Sequence, residues 1–145
     1  MPPSLSAAIR SFVVACAART ARGQISAHRT MLVHVSRFQD VHDVVHTQVE
    51  AELRVIRNAV AAGDAAELAG LERLWAEDFE PTSAAMAPTV FDRAIRQVSW
   101  SEVAVHLSAE IDRIQVAVAN GRSRTGIDYD AGSGRTEPVS DRHRR

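Results

Sequence analysis

The stretch MLVHVSRFQDVHDVVH, Met31 to His46, limits what this chain can fold into more than any other, because its hydrophobic period changes in the middle. Met31 to Val35 is a short apolar run with β-branched residues, which predicts a buried strand. Val41, Val45, Val49, Leu53, Ile56 and Val60 then recur at three- and four-residue steps, which predicts a helix from about Arg37 to Ala62, closed by Gly63. The change falls on Ser36-Arg37. Ser36-x-x-Gln39 matches a capping box, so the helix is expected to start directly at the carboxyl end of the strand. In open parallel α/β sheets that edge is where ligands bind. A helix N-terminus there offers free amides and a positive dipole end to an anion, and Arg37 adds a forked donor suited to phosphate. The plainer alternative is that Ser36 only caps and Arg37 is a solvated side chain.

The remaining elements follow from the same patterns. Leu5, Ala8, Ile9, Phe12, Val13 and Cys16 form one helical stripe that Ser4 or Ser6 can cap and Gly23 can end. Asp64 can cap a second helix running to about Phe79, with Leu68, Leu71, Leu74 and Trp75 on its apolar side. Residues 80–89, EPTSAAMAPT, read as a linker, followed by a short helix near Val90–Val98. A helix capped by Ser101 runs to Arg113, with Val103, Leu107 and Ile111 facing inward. RIQVAVANG reads as a second buried strand, Ile114–Ala119, ending on Asn120-Gly121. Beyond Tyr129 the chain is too polar to offset its ordering entropy, so residues 131–145 are expected to be a disordered tail after a domain spanning 1–130.

Two strands separated by long helical crossovers should run parallel, with helices on their faces. The expected fold class is therefore α/β, a partial parallel sheet flanked by helices. Two strands make an incomplete sheet. Either a strand escapes this reading, or the chain is the front part of a larger α/β domain.

Composition removes whole classes of chemistry. All 17 basic residues are Arg, so the chain has no P-loop lysine, no Schiff-base lysine and no nuclease lysine of the PD-(D/E)xK type. A net charge of −1 leaves any polyanion site to be local. The single Cys16 reads as a core residue, excludes a disulfide framework within the chain and fits a reducing, cytoplasmic compartment. Val13-Val14-Ala15-Cys16 loosely imitates a lipoprotein cleavage box, but Arg10 interrupts it, and no stretch is long enough to span a membrane. His42 and His46 have the spacing of a zinc helix, yet no third ligand follows and His42 falls on the valine face, so no metal is assigned. Asp40/Asp43 and Glu50/Glu52 read as solvated helix faces. No catalytic arrangement can be drawn from spacing.

Three segments carry a family resemblance: SLSAAIRSFVVACAARTARG, TMLVHVSRFQDVHDVVHTQVEAELRVIR and SWSEVAVHLSAEIDRIQVAVANGRSRTGIDYD. In order and spacing they resemble the prokaryotic domain called Z-one, labelled an endonuclease and associated with superfamily-two helicases. The resemblance covers roughly residues 3–130. It implies a RecA-like sheet, a large parent protein acting in DNA restriction or repair, and ATP with magnesium only in that full-length protein. LVHVSR resembles helicase motif IV, an apolar strand whose following turn touches the nucleic-acid backbone. The resemblance thus points to Ser36 and Arg37, with Asn120 and Gly121 of the second block, as weak DNA-backbone contacts. Where the family continues into a glycine-rich strand and an LSRGLT-like block, this sequence has AGSGRTEPVSDRHRR. The expectation is a fragment of a helicase-associated protein, inactive alone, whose partners are DNA and the remainder of a split Z-one protein. The competing expectations are a small non-enzymatic interaction module and a non-functional remnant.

Overall fold

The computed structural model describes residues 1–26, 28–34, 39–87 and 96–118, with the backbone alone at Gln39 and Asp40. Helix α1, Pro3–Ala21, begins on prolines. Proline suits a first turn because the amide it lacks has no intrahelical partner there. Neither Ser4 nor Ser6 caps it: Pro2 occupies the cap position, and Ser6 lies inside the helix. At its other end Gly23 takes φ +84°, and Gly23 N–H and Gln24 N–H donate to the Thr20 and Arg19 carbonyls at 2.8 and 2.9 Å. That is a Schellman ending, which a Cβ at position 23 would strain.

Helix α2, Gln39–Ala62, ends the same way on Gly63, at φ +67°. Asp64 follows and starts the next helix at once. Its carboxylate accepts from the Ala66 and Glu67 amides at 3.0 and 2.9 Å, capping α3, Ala65–Leu74. The region read as a linker is helical as far as Met86. A π turn, Trp75–Phe79, joins α3 to α4, Glu80–Met86, and the Glu80 N–H reaches back five residues to the Trp75 carbonyl. Pro81 explains the turn. In an unbroken α-helix its ring would press on the carbonyl four residues earlier, and the wider π turn loosens the ladder where that conflict would fall.

Two further helices complete the described chain. Ser99, rather than Ser101, caps α5, Trp100–Ala104, through a capping box with Glu102: the Ser99 N–H donates to Glu102 Oε2 at 2.8 Å. A tight turn at Val105-His106 then separates α5 from α6, Leu107–Arg113, where the sequence reads as one helix. Val103, Leu107 and Ile111 remain in line across the turn, and all three are fully buried. The helix expected near Val90–Val98 falls largely outside the described residues, and 96–99 are not helical.

The α/β expectation fails. Among the described residues every element is helical and no strand forms, so the RecA-like parallel sheet is overturned. A strand covered on both faces needs every side chain shielded. Leu32 is instead 83% exposed, while Met31 and Val33 are half-buried. In 114–118 burial alternates in the same one-sided way: Ile114, Val116 and Val118 are half-buried, and Gln115 and Ala117 are exposed. Ile114 and Val116 lean on a core that the helices already fill. That core joins Val13, Val14, Ala17 and Ala18 of α1 to Leu53 and Ile56 of α2, Leu71 and Trp75, and Val103, Leu107 and Ile111. Trp75 and Phe79 stack with ring centroids 5.8 Å apart. Helix α2 is fully buried in this core only from Val49 onward, Val45 packs against its edge, and Val41, assigned to the apolar stripe, is exposed.

This packing separates two leucines that composition treats alike. Leu107→Ala should cost about 2–5 kcal/mol, because it leaves a cavity at a fully buried position. Leu32→Ala should change stability by less than about 0.5 kcal/mol, as an exposed residue does. Equilibrium urea unfolding of the two variants measures both, and a large loss at Leu32 would restore the buried strand.

Candidate functional site

The four residues expected to touch DNA, Ser36, Arg37, Asn120 and Gly121, lie outside the described residues. Described chain flanks each pair. Helix α2 begins at Gln39, and α6 ends at Arg113 before the extended Ile114. His42 and His46 lie in the early turns of α2. His46 Nε2 sits 3.7 Å from Glu50 Oε1, and among the described residues no three His, Cys, Asp or Glu side chains gather where they could hold a metal.

Polar chemistry concentrates in two clusters that tie helices together. In the first, Arg10 of α1 lies between α2 and α3. Its Nη1 donates to Glu52 Oε1 at 2.5 Å, while Nε and Nη2 fork onto the two oxygens of Glu67 at 2.8 and 3.1 Å. Ser6 Oγ donates to the same Glu52 oxygen at 2.5 Å. Glu52 is therefore no solvated face residue. The hydrogen bonds from Ser6 and then Arg10 hold its carboxyl below the usual carboxylate range against a smaller effect of burial. The fork to Glu67 leads in keeping Arg10 charged, outweighing its own desolvation.

The second cluster surrounds Glu110, a charged side chain that is only 3% exposed. Thr20 Oγ1 of α1 donates to its Oε1 at 2.9 Å, and Arg113 Nη1 donates to the same oxygen at 2.7 Å. Arg29, from the connection between α1 and α2, donates to Oε2 and also reaches the Gln24 carbonyl at 2.8 Å. Burial pushes the Cys16 thiol up, and the Arg29 charge only partly offsets it. Cys16 is thus buried, as expected, but not an activated nucleophile. Sequence reasoning missed this cluster because Arg29 and Glu110 are 81 positions apart and no helical or strand spacing links them.

A third set of contacts surrounds the end of α1. Arg96 Nη2 donates to the Ala21 carbonyl at 2.8 Å while its Nη1 pairs with Glu102 at 2.7 Å, and Arg22 Nη2 reaches Ser83 Oγ at 3.1 Å. Chiefly the Ser99 backbone bond, then Arg96, lower the Glu102 carboxyl to about 2. Both Glu52 and Glu102 have depressed folded values, so their stabilisation is present above about pH 4.5, the unfolded carboxylate range, and is lost as pH falls toward the folded values. Stability measured by urea unfolding should therefore drop between about pH 4.5 and 2. Glu52→Gln with Glu102→Gln should flatten that drop, and an unchanged profile would show that neither contact contributes.

Comparison with known proteins agrees with one part of the reading from sequence. No curated protein and no solved structure matches the chain. Residues 4–139 match the family described as the Z1 domain, across nearly the whole length and all six described helices. The chain belongs to the Z1 domain family.

Proposed function

We propose that this chain is a helical, non-catalytic part of a Z1 protein that acts on DNA with a helicase in restriction or repair, and that it supplies weak contacts to the phosphate backbone. The observation that carries the proposal is the family match over residues 4–139. Its geometric support is the position of Ser36 and Arg37 in the sequence, directly before the 24-residue helix α2. The first amides of such a helix have no partner within it and attract anions, and a guanidinium can fork onto a phosphate. Asp40 and Asp43, early in the same helix, oppose an anion, so the affinity is low by construction. Asn120 and Gly121 take the same role after α6. The partner chain in this reading is the remaining part of a split Z1 protein.

A second reading has an observation of its own. Leu32, Val44, Val55 and Val105 are large apolar side chains, each more than half exposed, and they suit a non-enzymatic interaction module better than a DNA contact.

Binding of single-stranded DNA separates the two. The full chain with Arg135, Arg142, Arg144 and Arg145 changed to Ala removes the polyanion affinity of the basic tail. It should still bind weakly at low salt and without sequence preference, since phosphate contacts carry no base information. Adding Arg37→Ala should weaken binding and reduce the slope of log K against log salt by about 0.7, the value for one lost phosphate contact on a single strand. If the tail substitutions alone abolish binding, the interaction module becomes the better reading.

A further inference from the structure

Most arginines of the described chain are balanced. Arg10, Arg29, Arg57, Arg96 and Arg113 each pair with a carboxylate, and Arg54 and Arg73 are exposed to water. Arg19 and Arg22, at the end of α1, have neither arrangement. Both are half-buried, and among the described residues each meets only neutral oxygens. Arg19 Nε donates to Gln24 Oε1 at 3.2 Å, while Arg22 donates from Nε to the Arg96 carbonyl at 3.2 Å and from Nη2 to Ser83 Oγ at 3.1 Å. Burial lowers the pKa of Arg22 from its ordinary value with no carboxylate to offset it, yet a guanidinium stays charged. A partly desolvated cation without a counter-charge is a cost that a bound anion removes.

Three positions apart at a helix end, Arg19 and Arg22 are neighbours on one side of α1. Arg22 Nη1 and both Nη groups of Arg19 carry no bond among the described residues, and the Ser83 hydroxyl, which accepts from Arg22, still has a proton to donate. Arg96, with a side chain 53% exposed, is bound beside Arg22. Its Nη2 takes the Ala21 carbonyl at 2.8 Å, covering part of the negative helix end that would otherwise repel an anion. Two carboxylates oppose these three cations: Glu102, which pairs with Arg96, and Glu80, one turn before Ser83. Farther away the sign reverses, and residues 43–78 carry eight carboxylates against three arginines. The positive excess at the end of α1 is therefore local, in a chain whose net charge is −1.

We propose that Arg19, Arg22 and Ser83, flanked by Arg96, form a further contact for the phosphate backbone of single-stranded DNA, separate from Ser36-Arg37. The proposal rests on the DNA-backbone reading above and adds a site to it. A phosphodiester brings a full negative charge and acceptor oxygens that guanidinium groups bind directly, so it supplies the counter-charge that Arg19 and Arg22 lack.

The reference for the test is the full chain with Arg135, Arg142, Arg144 and Arg145 changed to Ala, and its binding to single-stranded DNA is measured over a salt series. Arg19→Gln with Arg22→Gln should weaken binding and lower the slope of log K against log salt by about 1.4, two contacts at about 0.7 each. Arg54→Gln with Arg73→Gln removes the same charge from exposed positions among the carboxylates and should leave the slope unchanged. The proposal is overturned if the first pair changes the slope no more than the second. An effect of Arg37→Ala that persists in that case leaves the other contact standing. A reference chain that binds no DNA overturns the backbone reading itself, and this site with it. Circular dichroism checks the helix content of each variant. Should the Arg19/Arg22 pair of substitutions unfold the chain, Arg19→Gln alone decides, since its described bond reaches only Gln24: the slope must then fall by about 0.7.

Discussion

Val13, Val14, Ala17, Ala18 and Ala21 give α1 a broad apolar surface against which α2, α3, α5 and α6 all pack. Because three of those residues are alanines, neighbouring helices can approach closely, and a larger side chain at 17 or 18 would force them apart. The same geometry dictates where polar groups can go. Arg10 meets Glu52 and Glu67 toward one end of α1, and Thr20 meets Glu110 toward the other. The charges thus tie together helices whose separation the small residues have already set, and most of the stability resides in the apolar contacts between them.

Helix existence was legible wherever a face was apolar at helical spacing, as in Val49, Leu53 and Ile56 or Leu71 and Trp75. Gly23 and Gly63 were legible as endings because each must reach a positive φ. The errors share a different cause. Met31–Val35 and Ile114–Ala119 have strand composition, but composition reports a preference for extended, half-shielded backbone and cannot report whether a second strand is there to pair with it. In this chain the helices fill the core, Ile114 and Val116 pack against it, and the described residues of both segments leave one side exposed. The resemblance to helicase motif IV reinforced the error by lending a strand to LVHVSR. At Glu80–Met86 the proline argued for a linker, and no local signal announces that a π turn can absorb it.

The candidate site divides along the same line. Ser36-Arg37 stood out because it lies at a change of period, which is a local signal. The Glu110 cluster is assembled from α1, the connection after it and α6, so its members become neighbours only in the folded chain. Acidic residues also shifted role through tertiary context: Glu52 has the spacing of a solvated residue, yet α1 supplies it with both a hydroxyl and a guanidinium.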